Sequence, residues 1–134
     1  MPISSSKPKL KIGGWLPLAR VVVRGESMAP TLQPGDRLLV LTNQPSYLPG
    51  DIVVFTNASR SYVKRLVGVP RQHVEWHGIP WELGADEYFA TGDNCEVASI
   101  DSRTFGPVPH RNIHGRVVMR YFPSLQWLGR STRS

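Results

Sequence analysis

The sequence has a single cysteine, Cys95, so no disulfide can form within the chain. It also lacks a long apolar run, because the best candidate, residues 15–23, is short and contains Pro17 and Arg20. A membrane-spanning helix or a signal peptide needs an uninterrupted apolar stretch. We therefore expect a non-exported protein without a transmembrane segment, and a cytoplasmic location fits the cysteine content.

Acidic residues are few, since ten Asp and Glu against 16 Lys and Arg give a formal net charge of +6. Such a balance is compatible with nucleic acid, an anionic membrane surface or an acidic partner. Much of the excess lies near the ends, at Lys7, Lys9, Lys11, Arg130 and Arg133. Flexible, solubilising termini explain this charge more simply than a binding patch does. We expect no nucleic acid partner, and peripheral contact of the basic leader with a membrane stays open.

Long helices are not expected either, because 12 Pro and 12 Gly are spread along the chain. Short β-rich runs between turns predict an all-β protein with one modest core. We divide it into a flexible basic leader (1–17), a core (18–123) and a basic C-terminal tail (124–134). Residues 92–106 read as a polar turn. The predicted strands are residues 20–24, 37–42 (buried on both faces), 51–56, 61–69, 73–76, 79–83, 87–91 and 113–121.

One stretch, Gly25 to Leu32, follows neither strand nor helix propensity although β-rich runs flank it. A serine in such a turn, here Ser27, exposes its hydroxyl but is a weak nucleophile until a base removes its proton. Lys64 is a candidate base, because strand alternation places it on one face with Tyr62 and Leu66, and burial there would lower the pKa of its amine. From this strand alone, a lysine that reaches solvent is the simpler explanation.

The histidines offer a second kind of site. His73 and His77 are four residues apart, as are His110 and His114, a spacing that on a helix places two imidazoles on one face for a metal. Both pairs fall where the sequence predicts a strand or a proline-rich loop, so this geometry is lost. We therefore expect no metal site.

Four segments that occur in a fixed order carry a family resemblance. They are Gly25 to Leu32, Gly50 to Phe55, Tyr62 to Pro70, and Gly92 to Asn94 followed by Ser99 to Arg103. In this order they resemble the nucleophile, strand, lysine and final boxes of the signal peptidase I family of Ser/Lys proteases, over roughly residues 21–123. The resemblance implies an all-β catalytic core, a β-barrel similar to those of signal peptidases and repressor autoproteases without the large inserted domain. It implies no cofactor.

The resemblance also implies catalytic roles. Ser27 would attack the substrate carbonyl, and Lys64 would take its proton and later activate the water that hydrolyses the acyl-enzyme. The backbone N–H of Ser27 is the implied oxyanion donor. Some members carry a serine two positions before the nucleophile that adds a second donor, and here that position is Gly25.

Supporting roles follow from the same boxes. Ser99 matches a serine that hydrogen-bonds the lysine amine and orients it. Asp101 and Arg103 match a structural ion pair beneath the site. Met28 and Pro30 are expected to fix the turn and to border a shallow, apolar substrate pocket.

Departures from the family indicate which protease this is. Only residues 65–91 separate the lysine from the final box, and the usual N-terminal anchor is expected to be missing. The form most similar to this is the soluble branch thought to mature nickel-type superoxide dismutase by removing its N-terminal propeptide. The expected partner is thus a protein precursor with a short N-terminal extension.

Three alternatives stay open. One is type I signal peptidase-like processing of exported precursors. Another is a small basic β-domain that binds nucleic acid through its charge and aromatic side chains, which leaves the Ser27 and Lys64 boxes unexplained. A thiol nucleophile at Cys95 is disfavoured, because the resemblance places this residue at a variable position.

Overall fold

The computed structural model describes residues 9–10, 17–76, 78–97 and 100–129. Within these residues nearly all regular structure is β-strand, which confirms the all-β prediction. In chain order the elements are β1 (Lys9–Leu10), β2 (Leu18–Val22), β3 (Arg37–Thr42), β4 (Ile52–Asn57), β5 (Arg60–Gly68), β6 (His73–Trp76), β7 (Ile79–Glu82), β8 (Glu87–Thr91), α1 (Ser102–Phe105), β9 (Val108–Pro109), a 3₁₀ turn (His110–Asn112), β10 (Ile113–Phe122) and β11 (Gln126–Trp127).

In the described part of the chain, nine strands share one antiparallel sheet. Their order is β1-β2-β3-β10-β4-β5-β8-β9, and β11 pairs with β10. The remaining two strands, β6 and β7, form a separate hairpin. β10 pairs with both β3 and β4, so this late strand lies between two strands from the first half of the chain. Residues 9–10 of the predicted leader and 126–127 of the predicted tail are thus part of the sheet.

The hairpin of β4 and β5 determines where Lys64 lies. Its two-residue turn uses Ala58 and Ser59, with φ values of 51° and 70°, as a tight hairpin turn requires. This turn sets the register, so that Asn57 pairs with Arg60 and Val53 with Lys64. The predicted strands 51–56 and 61–69 are confirmed here to within a residue.

Both faces of this hairpin are buried. Ile52, Val54 and Val63 belong to a first apolar cluster, which also contains the inward side chains of β2 and β3. Tyr62 and Leu66 belong to a second cluster with aromatic residues of β4 and β8. A side chain between Tyr62 and Leu66 on the same face is therefore surrounded by core.

Two strand predictions need correction. The first strand spans Leu18–Val22 and not 20–24, because its register with β3 pairs Leu18 with Leu41. β3 has the predicted bounds but is not fully buried on both faces. Leu38 and Val40 are buried in the first cluster, whereas Leu41 is half-buried, since that cluster packs on one face only.

Residues 92–106 are also more ordered than a polar turn, because they contain α1. The Asp101 side chain caps this helix by accepting a hydrogen bond from the Arg103 N–H at 3.0 Å. The Ser102 hydroxyl accepts a hydrogen bond from the Ala90 N–H at 2.9 Å, which ties α1 to β8. Gly106, with φ of 88°, ends the helix in a conformation that favours glycine.

Candidate active site

Ser27 lies in the turn that joins β2 to β3. Gly25 enters this turn with φ of 78°, a left-handed conformation that glycine adopts without strain. The Leu32 N–H donates to the Met28 carbonyl at 2.9 Å, and both side chains are buried in the first cluster. The core therefore holds the turn, and Ser27 is buried with it at 3% exposed, so the expectation that this turn exposes the serine is wrong.

The amine of Lys64 meets the hydroxyl of Ser27. Lys64 Nζ lies 2.9 Å from Ser27 Oγ, although 37 positions separate the two residues in sequence. Lys64 is 0% exposed, so its side chain runs through the core and does not reach solvent. The structure thus brings together the two residues that the sequence proposed as nucleophile and base.

The environment of Lys64 favours the neutral amine. Burial lowers the pKa of Lys64 from its ordinary value of 10.5, the Asp101 carboxylate opposes this shift, and the Arg103 guanidinium adds to it. A neutral amine at hydrogen-bonding distance from a hydroxyl can accept its proton, which is the property that a general base needs.

Asp101 and Arg103 form an ion pair next to the site. The Arg103 Nε donates to Asp101 Oδ1 at 2.9 Å, and the Asp101 carboxylate also accepts from the Gly92 N–H at 3.0 Å. Burial alone would raise the pKa of Asp101, but the hydrogen bonds from Arg103 and Gly92 outweigh it and hold the pKa below its ordinary value. Asp101 is thus a buried carboxylate whose negative charge is paired with the Arg103 guanidinium.

Asp93 belongs to the final box of the sequence, which by itself predicts no role for it. Its carboxylate accepts two hydrogen bonds from the Arg65 guanidinium, at 2.9 and 2.8 Å, and one from the Thr31 hydroxyl at 2.8 Å. Asp93 therefore joins the serine turn to the strand that carries the lysine. The signal in the sequence was Arg65, a second charged residue directly after Lys64 in a strand that otherwise consists of apolar residues from Tyr62 to Val67.

The other predicted site residues are placed differently. Met28 is buried beneath the turn, whereas Pro30 is exposed. Ser99 lies outside the described residues. Cys95 is exposed, and among the described residues no group of three or more His, Cys, Asp or Glu side chains is placed to hold a metal ion.

The two histidine pairs do not form shared sites. His73 contacts Glu82 across the β6–β7 hairpin, and His77 lies outside the described residues. His110 bonds the Gln44 carbonyl, while His114 bonds the Thr56 hydroxyl. Each described histidine therefore has its own separate partner.

Comparison with known families identifies the family of the chain. A family model described as "Signal peptidase, peptidase S26" matches residues 14–80 and 76–122, which include all segments described above. The chain belongs to this family. As a signal peptidase I-like member, it is a serine endopeptidase that acts on protein substrates.

Named relatives agree with this family. Signal peptidase I of Leptolyngbya laminosa is 30% identical over 137 aligned positions, which cover 75% of this chain and 67% of the relative. Probable signal peptidase I-1 of Synechocystis is 30% identical, with coverages of 78% and 71%. Signal peptidase IB of Staphylococcus aureus (strain COL) is 30% identical, with coverages of 75% and 76%. Within the described ranges of the chain, no helix is both long and apolar enough to cross a bilayer.

Proposed function

We propose that Ser27 is the nucleophile and Lys64 the general base of this endopeptidase. The observation that carries the proposal is the 2.9 Å contact between Lys64 Nζ and Ser27 Oγ, made by a lysine without solvent exposure. The neutral amine accepts the hydroxyl proton as Oγ attacks the scissile carbonyl. The ammonium then gives that proton to the leaving amine, which releases the first product. The amine next takes a proton from the water that hydrolyses the acyl-enzyme.

The surrounding residues have supporting roles in this proposal. The Ser27 N–H stabilises the oxyanion of the tetrahedral intermediate. Ser99 orients the lysine amine, and the ion pair of Asp101 and Arg103 holds the final segment against the site. Pro30 borders the substrate pocket, while Met28 supports it from the core. The catalytic core is residues 18–123, between a basic leader and a basic tail.

We propose further that the substrate is the precursor of a nickel-type superoxide dismutase, from which the enzyme removes an N-terminal propeptide in the cytoplasm. The short connection between Lys64 and Gly92 supports this assignment. It consists of the β6–β7 hairpin and β8, with no large inserted domain between them. The resemblance to the soluble maturation branch of the family points to the same substrate.

A second candidate is the cleavage of exported precursors. It is favoured by the names of the relatives, which are signal peptidases I of cyanobacteria and of Staphylococcus aureus. The two candidates share the same catalytic pair and differ in the precursor that reaches it.

Co-expression with each precursor tests both the catalytic pair and the substrate. The nickel superoxide dismutase precursor should be trimmed by the native chain and should stay full length with Ser27→Ala or Lys64→Ala, as intact mass measurement of the dismutase would show. Ser46→Ala changes an exposed serine outside the site and is the matched control, which should trim normally.

Two results would change the proposal. Normal trimming by Ser27→Ala or Lys64→Ala would rule out the catalytic pair. If the native chain leaves the dismutase precursor intact but cleaves an exported precursor presented in lipid vesicles, the second candidate is correct. In that case the pair stands and only the substrate assignment fails.

A further inference from the structure

Asn94 contacts the peptide units on both sides of Ser27. Its side-chain Nδ2 donates to the Glu26 carbonyl at 3.0 Å, and its backbone N–H donates to the Ser27 carbonyl at 2.8 Å. The first carbonyl precedes the serine and the second belongs to it. Asn94 therefore holds the backbone both before and after Ser27, from a segment that is distant in sequence.

The side-chain bond has a consequence for the Ser27 N–H. The Glu26 carbonyl and the Ser27 N–H belong to one peptide unit, which is planar and trans, so they point in opposite directions. Whatever holds the carbonyl oxygen also fixes the direction of the N–H. Accepting a hydrogen bond at the oxygen polarises the unit and strengthens its N–H as a donor.

The Asn94 side chain is itself held in place. Its Oδ1 accepts a hydrogen bond from the Glu96 N–H at 3.0 Å, which leaves Nδ2 directed at Glu26. The preceding residue, Asp93, is anchored by its bonds to Arg65 and Thr31. The amide is thus presented from a segment that is held by hydrogen bonds at two successive residues, as a group that orients another group must be.

We propose that Asn94 is a positioning residue, whose side-chain amide orients the Ser27 N–H as the oxyanion donor. This inference rests on the proposed function, in which Ser27 is the nucleophile. Gly25 makes the direction of this backbone donor more important, because a glycine there cannot supply a side-chain donor.

Loss of the amide should act on the transition state and not on substrate binding. Removing an oxyanion donor outright costs about 10²- to 10³-fold in kcat. The effect should be smaller here, about tenfold, because the N–H itself is kept and the Ala29 N–H still donates to the Glu26 carbonyl at 3.1 Å. The pH dependence should not move, since Lys64 is unchanged.

The test compares Asn94→Ala and Asn94→Leu with the native full chain. The substrate is a quenched fluorescent peptide that the native chain cleaves. The second variant fills the side-chain volume and is available if the first does not fold. The expected result is a kcat lowered about tenfold, with KM changed less than about twofold and the same midpoint of the pH profile. A peptide boronic acid, which forms a tetrahedral adduct with serine, should lose affinity by a similar factor.

Asn112→Ala is the matched control, because the Asn112 amide also donates to a backbone carbonyl, that of Thr56, at 3.0 Å and away from the serine turn. It should leave kcat and boronate affinity unchanged. The inference is overturned if both Asn94 variants keep native kcat, or if they change only KM, the pH midpoint or the melting temperature. Full activity of Ser27→Ala would instead remove the proposed function on which the inference rests.

Discussion

The amine of Lys64 is a group that is ordinarily charged and hydrated, but here the whole side chain is buried. Removing a charge from water is costly, so burial shifts the equilibrium towards the neutral amine. Two nearby charges act on its pKa in opposite directions, because Asp101 raises it and Arg103 lowers it. Since these two charges are paired with each other, their effects partly cancel and burial decides the outcome.

This residue should make stability depend on pH in a definite direction. The unfolded chain keeps the ordinary lysine pKa of 10.5, whereas the folded pKa is lower. Between the two values the unfolded state binds more protons, so stability rises with pH across that window. We expect Lys64→Met to be more stable than the native chain at neutral pH, with an advantage that shrinks as pH approaches 10.5. Urea unfolding at several pH values measures this difference.

The peptidase activity of the native chain should rise as pH passes through the lowered folded pKa of Lys64 and then level off, because the neutral amine does the chemistry. The matched comparison is Lys64→Arg, which keeps the charge and has no neutral form near neutral pH. It should be inactive and less stable than Lys64→Met. A Lys64→Met variant that is less stable than the native chain, with no dependence on pH, would show that burial of the amine is not costly.

At the scale of elements, β10 is the strand that joins the two halves of the sheet. It pairs with β3 through Gly115 and Thr42 and with β4 through Gly115 and Val54. A Cβ added at Gly115 would lie 2.4 Å from the Leu41 carbonyl oxygen. Only glycine lets the three strands approach so closely, and β4 in turn carries the hairpin that presents Lys64.

Gly115→Ala should therefore destabilise the protein by about 2 kcal/mol or more, since backbone must move to admit the methyl group. Thermal unfolding measures the loss. Gly84→Ala is the control, because its Cβ would first meet the flexible end of Glu87 at 3.3 Å. If Gly115→Ala has the same melting temperature as the native chain, the close approach of the three strands does not restrict this position.

Across the whole molecule, two carboxylates join segments that are distant in sequence. Asp93 links the serine turn to β5 through Thr31 and Arg65. Asp101 links the segment before α1 to Gly92 near the end of β8. Burial alone would raise the pKa of each carboxyl, but hydrogen bonds outweigh it, from Arg65 and Thr31 for the first and from Arg103 and Gly92 for the second.

These two carboxylates should cause the free energy of unfolding to fall at acid pH. Their folded pKa values lie below the ordinary 3.8, so their contribution is complete above that pH and is lost as pH falls through the lowered values. Asp93→Asn should cost about 1 to 3 kcal/mol at neutral pH, and the difference from the native chain should narrow below pH 3.8. Urea unfolding between neutral and acid pH tests this.

The control for this prediction is Asp86→Asn, which changes an exposed carboxylate whose nearest guanidinium nitrogen, on Arg111, lies 3.9 Å away. It should leave stability nearly unchanged, as expected for an exposed pair. A constant difference between Asp93→Asn and the native chain down to low pH would mean that Asp93 acts through packing and not through its charge.

The sequence by itself determined the strands and much of the candidate chemistry. The β4–β5 hairpin follows from two β-rich runs that flank a short turn, and both are properties of neighbouring residues. The ordered boxes supplied Ser27 and Lys64 as candidates. Local patterns missed α1, because it is only four residues long and the bond from Ala90 to Ser102 that ties it to β8 joins groups that come together only in the fold.

Tertiary structure alone decided whether those candidates meet. Alternation placed Lys64 on a face with Tyr62 and Leu66, but the packing of the two apolar clusters buries it completely and brings its amine to 2.9 Å from the Ser27 hydroxyl. The same holds for the Asp93 carboxylate and the Asn94 amide nitrogen, whose partners Arg65 and Glu26 lie more than 25 positions away. Propensity and periodicity act over a few residues, whereas burial and hydrogen-bond partners are set by how the strands of the sheet pair and pack.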